Sequence, residues 1–167
     1  QLTKMNVAHW HLLMNHLPIV FPLVGIFVFA LSWILPAENT RRIAYLIFIA
    51  TAITSWMAMM TGDRAEDFVE NIPGMDHRMI HKHEEIAETF SALCYVLGGL
   101  SLLSFWFSVK NKAGAKWLGL VSLLLAIVTL YFAKSTGTSG GEIRHSEIRS
   151  NVPEPLFVPI QKEKDTD

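Results

Sequence analysis

The chain has 167 residues, of which 51% are hydrophobic and 17% charged, and a formal net charge of −1. That length suits one domain, and the balance is too apolar for an ordinary soluble domain of this size. A charge so close to zero, with no basic tract, excludes nucleic acid as an expected partner.

In chain order, the first feature is HWHLLMNH (9–16), which sets His9, His11 and His16 directly before an apolar run. Histidine ligates metals and carries protons, and it is a poor residue with which to open a membrane span. On a helix His9 and His16 share a face, and His11 is turned away. The apolar run covers 17–35, with Pro18 and Pro22 in its first turns and Pro36 at its close. A short loop, PAENTRR, leads into a second run at 42–61.

The most charged stretch follows, TGDRAEDFVENIPGMDHRMIHKHEEIAE. In it Glu66 and Glu70 share a helical face, as do His77 and His81. NIPG is expected to divide this stretch into a short surface helix and a re-entry, with His83, Glu84 and Glu85 where the third span begins. That span, 87–109, holds Cys94 and the small residues of GGL, which let neighbouring helices approach closely. A lone cysteine supports neither an internal disulfide nor a thiolate cluster, so Cys94 reads as a small buried apolar residue.

After a second short loop, VKNKAGAK, comes the fourth run at 117–133. The glycines of TGTSGGEIRH (136–145) are expected to end that helix and turn the chain back over the bundle. Glu142 and His145 then make an E-x-x-H pair, the spacing used by di-iron carboxylate bundles. From Ser150 the chain is proline-rich and charged. Residues 150–167 therefore read as an extended or disordered tail to a membrane domain at 1–149.

Each apolar run approaches the roughly 20 residues that cross about 30 Å of hydrocarbon. Backbone polar groups in lipid must be satisfied internally, so the expected fold is all-α: a four-helix transmembrane bundle with outward-facing polar loops. Arg41, Arg42, Lys110, Lys112 and Lys116 crowd the two short loops, which should lie in the cytoplasm. Both termini and all seven histidines then face the outside of a bacterial inner membrane. Trp10, Trp56 and Tyr131 near one boundary, and Trp33, Trp106 and Trp117 near the other, look like two aromatic belts.

HLLMNHLPI resembles the HxxxxHxP signature of an uncharacterised bacterial family of predicted four-helix membrane proteins. TGDRAEDFVENIPG, HKHEEIAE and TGTSGGEIRH are similar to that family's other landmarks, in the same order, over about residues 9–148. The resemblance implies His11, His16, His83 and His145 as the family histidines, accompanied by Glu66, Glu84 and Glu142. His9, His77 and His81 fall outside the pattern. Family members are fused in places to Rieske or c-type cytochrome modules, which implies an electron-transfer setting and such a partner on the outer side.

Three functions are then in contention. The preferred one is a b-type cytochrome, with haem held non-covalently by His11, His16, His83 and His145, since no CxxCH is present. His16 and His83, opening helices one and three on the same side, are expected to matter most. The alternative is a non-haem iron, copper or zinc site drawn from His16, His83, His145, Glu66, Glu84 and Glu142, which gives the carboxylates a purpose. The third is an accessory subunit of a respiratory or transport complex. An electron-transfer or accessory role is favoured over a stand-alone enzyme.

Overall fold

The computed structural model describes residues 7–69 and 76–149. A short helix α1 (Val7–Met14) leads into α2 (Leu17–Leu31), followed by α3 (Ala37–Val69), α4 (His77–Val109) and α5 (Ala115–Arg144). A 3-10 turn at Ser146–Ile148 closes the described chain. The proposed tail at 150–167 and Glu70 lie outside the described residues.

The helices begin where local chemistry allows. α2 starts with Pro18 in its first turn, where a missing N–H removes no helical hydrogen bond. At α4 the Asp76 carboxylate accepts from the Arg78 backbone N–H at 3.1 Å and caps the first turn. The α4–α5 turn needs positive φ twice, at Asn111 (49°) and Gly114 (93°).

Two expectations change. α3 and α4 are each 33 residues, about 50 Å at 1.5 Å per residue. Hydropathy marks only the lipid-facing part, and the polar ends continue as helix beyond it. The glycines of TGTSGGEIRH do not end the fourth helix, which runs through Gly137, Gly140 and Gly141 to Arg144. Glycine costs a helix only about 1 kcal/mol relative to alanine, and here the helix gains packing against α4.

Four helices, counting Ala8–Leu31 as one, are long and apolar enough to cross a membrane. Sequential helices run antiparallel: Phe29 meets Tyr45 edge to face, Ser55 bonds Ser91 at 3.0 Å, and Ser104 bonds Ser122 at 2.9 Å. α2 also packs on α5, which closes the ring. A Cβ on Gly98 would come within 2.5 Å of the Ala52 Cβ, so the α3–α4 crossing requires glycine there.

The distribution of side chains is that of a lipid-solvated bundle. Phe29, Tyr45, Phe48 and Leu97 are buried, but so are Thr51, Ser101, Ser104, Ser122 and Thr129. Phe27, Leu102, Leu124 and Trp117 are meanwhile exposed. Small hydroxylated residues inside and large apolar ones outside suit helices that associate by close packing and hydrogen bonds with lipid around them. This is a multi-pass membrane protein, and a bilayer is its surrounding.

Candidate metal centre

All seven histidines gather at the end of the bundle where α1 begins, α3 ends, α4 begins and α5 ends. Two groups form there. On the flank between α3 and α4, the Glu66 and Glu84 carboxylates and the His81 ring converge, with one ligand atom from each within 4.8 Å of the others. His81 Nδ1 lies 3.4 Å from Glu84 Oε2 and 3.7 Å from Glu66 Oε1. Two ligands bound at about 2.1 Å with tetrahedral angles sit about 3.4 Å apart. Those two separations therefore already match ligands sharing one ion.

The local reason is simple. His81 and Glu84 are three apart on α4 and lie on one face. α3 runs antiparallel beside α4, with Ser55 against Ser91 at 3.0 Å, and that register brings Glu66 level with His81.

The second group is a pair of imidazoles. His11 Nδ1 is 3.1 Å from the Ala58 carbonyl and 3.3 Å from Thr61 Oγ1. Thr61 donates its own proton to the Met57 carbonyl at 2.9 Å, so its oxygen accepts from His11. His83 Nδ1 is 2.9 Å from Ser139 Oγ, which itself donates to the Thr136 carbonyl at 3.1 Å. Both rings are thus assigned the tautomer with a proton on Nδ1, leaving the Nε2 lone pair available. Each ring also lies against a glycine: a Cβ on Gly62 would stand 3.3 Å from His11, and one on Gly140 would stand 3.0 Å from His83. The two rings stand at the same end of the bundle, one on α1 and one on α4.

The other expected ligands stand apart. His16 is exposed, and its Nδ1 donates to the Leu12 carbonyl at 3.1 Å within the α1–α2 corner. His145 pairs with Glu147 at 2.8 Å. The Glu147 carboxyl is held below its usual range, first by its own backbone N–H and then by that ring. Glu142 accepts from Lys82 Nζ at 3.3 Å and does not join either group. His83, Glu66 and Glu84 remain at the candidate sites, but His83 and the carboxylates belong to different clusters.

Sequence reasoning set His81 aside because it falls outside the resemblance, yet it completes the carboxylate group. The signal was present: His81 and Glu84 share a face at the start of α4, with an acidic residue at the end of an antiparallel α3. The orienting roles of Thr61 and Ser139 had no sequence signal of their own.

Compared with family models, curated proteins and solved structures, the chain matches none. The functional reading therefore rests on the chain's own residues.

Proposed function

We propose that this membrane protein holds a divalent first-row transition metal at one end of its bundle, through Glu66, His81 and Glu84. The observation that carries this is the convergence of the three side chains from two helices, with His81 Nδ1 at 3.4 and 3.7 Å from the two carboxylates. One imidazole and two carboxylates are a nitrogen–oxygen donor set, suited to zinc, manganese or ferrous iron and poorly suited to cuprous copper. Two carboxylate charges balance a dication, and three protein ligands leave a coordination position for water or substrate. Metal content of the purified protein tests this: about one equivalent is expected in the wild type, and none in a Glu66→Gln/His81→Ala/Glu84→Gln variant.

The paired rings of His11 and His83 favour a second reading, b-type haem. Each donates through Nδ1 to an oxygen of the bundle, as axial histidines do when a neighbour fixes their orientation, and each keeps Nε2 for iron. A pyridine haemochrome assay separates the two: haem lost from His11→Ala and His83→Ala, but kept in His81→Ala, would establish the second reading. Either site faces the outside of a bacterial inner membrane in this proposal, with the basic loops 36–42 and 109–116 in the cytoplasm. A respiratory Rieske or c-type cytochrome would then be the partner on that side. Cysteines placed at Asn39 and Asn111 should resist an impermeant thiol reagent in intact cells, and ready labelling at both would reverse the orientation.

A further inference from the structure

Beside the His83–Ser139 contact, α4 and α5 leave an open groove of about 300 Å³, with Ser139 in its wall. Lys82 and Ile86 form its α4 wall, and Tyr131, Lys134, Thr138 and Glu142 stand along α5. The position along the helices sets its depth. α5 is largely apolar up to Ala133 and polar from Lys134, and the last charged residue of α4 before its apolar run is Glu88. Tyr131 is 71% exposed at that boundary. The groove therefore opens sideways at the level where lipid headgroups begin, the level that tyrosine favours.

Its charge is specific. Lys82 is engaged by Glu142 at 3.3 Å, whereas Lys134 meets no carboxylate among the described residues. Two lysines and one glutamate leave a net charge of +1 in the groove. Thr138, four residues on from Lys134, shares its helical face, and the exposed Ser135 hydroxyl lines the same groove three residues before Thr138. Below them the same stripe of α5 continues as Val128, Ile127 and Leu124, all exposed and all apolar. A cation and hydroxyls above an apolar track match a ligand with an anionic head and hydrocarbon tails.

We propose that this groove binds the phosphodiester of an anionic glycerophospholipid, with its acyl chains along the Leu124–Val128 face of α5. The net single positive charge balances one phosphodiester, and Ser135 and Thr138 donate to its oxygens while Lys134 supplies the uncompensated charge. Glu142 holds Lys82 at the groove wall and does not compete for Lys134. The site stands independently of the metal reading, because it uses none of Glu66, His81 and Glu84, and it adjoins the His83 ring only through Ser139.

A soluble phosphate shares this chemistry, so the test must separate the two. The full-length protein, purified in detergent, is titrated with phosphatidylglycerol or phosphatidylcholine and read by native mass spectrometry. Phosphatidylglycerol should be retained about fivefold more than phosphatidylcholine, and Lys134→Gln should remove most of that preference, as expected for one basic residue at a lipid headgroup. Lys116→Gln, at the opposite end of α5, should leave it unchanged. Millimolar inorganic phosphate should not compete. Equal retention of the two lipids overturns the proposal, as does an equal loss in both lysine variants. Displacement by inorganic phosphate would also overturn it and make the groove a soluble-anion site.

Discussion

The two ends of the bundle use polar residues in opposite ways. At the end that carries the short loops, the arginines are answered by their neighbours. Arg42 gives Nε to Ser108 Oγ at 2.9 Å and a terminal nitrogen to the Ser108 carbonyl at 2.8 Å. Ser108 passes its proton to Glu38 at 3.0 Å, and Arg41 closes on the same glutamate at 2.7 Å. The guanidinium thus adds a second donor to a carbonyl in the last turn of α4, which also accepts from the Asn111 backbone N–H at 3.2 Å. At the histidine end the partners are incomplete in a chemically specific manner. His11 and His83 each use one ring nitrogen and keep the other, and two carboxylates converge on His81. Saturated charges hold a fold together; convergent ligand atoms with spare lone pairs make a site.

Substitutions at the two ends should therefore separate binding from stability. The largest effect is expected at His81. Losing an outer neighbour of a metal ligand typically costs 10–100-fold in affinity, so losing a ligand itself should cost roughly 100-fold or more. His81→Ala should do so with little change in stability, since the ring is largely exposed. Metal titration of the apoprotein reads the first effect and thermal unfolding in detergent the second. Loss of stability with unchanged affinity would assign His81 to structure.

The reverse is expected of Arg42→Ala. Hydrogen bonds to charged groups contribute about 1.5–3 kcal/mol each, and Arg42→Ala removes those given to Ser108, while the Ser108 carbonyl keeps the Asn111 N–H. A loss of about 2–3 kcal/mol is anticipated, with metal affinity unchanged. If Arg42→Ala lowered metal binding as much as His81→Ala does, the two ends would be coupled and the contrast between them would fail.

A finer probe lies at Gly140. A Cβ there would stand 3.0 Å from His83 Cε1, so Gly140→Ala presses the ring to shift by a few tenths of an ångström beside Ser139. In a double-mutant cycle with His83→Ala, a coupling of about 1 kcal/mol is expected. No coupling would mean that the ring is not held as described. The smallest effect concerns Asp76, whose carboxyl is held below its usual range chiefly by the Arg78 side chain. A depressed carboxyl contributes stability above its unfolded-state value and loses it as pH falls through its folded-state value. Asp76→Asn should accordingly flatten the loss of melting temperature below about pH 4, leaving neutral-pH stability nearly unchanged.

Much of this architecture is written in the chain. The runs at 17–35, 42–61, 87–109 and 117–133 each lie within or overlap a helix, because lipid demands apolar length and nothing else in the sequence supplies it. The helix ends were less legible. Hydropathy falls at Thr61 and Ala133, but a helix continues wherever its backbone bonds and packing are satisfied, and α5 carries three glycines across the bundle end on that basis. The site was half legible. Histidine and carboxylate in the correct segments can be read directly, and His11, His83, Glu66 and Glu84 stand where chemistry can use them. Which of them meet depends on the antiparallel register of α3 and α4, a long-range property. That register assigns His81 to Glu66, and the register of α5 on α4 turns Glu142 toward Lys82.

If Glu66, His81 and Glu84 form a metal centre, elemental analysis of the protein after metal loading and desalting will register it. About one equivalent of zinc, manganese or iron should remain on the wild type and be absent from the triple variant Glu66→Gln/His81→Ala/Glu84→Gln, with His11→Ala and His83→Ala retaining it. A wild type that keeps no metal, or a triple variant that keeps as much as the wild type, would contradict the account.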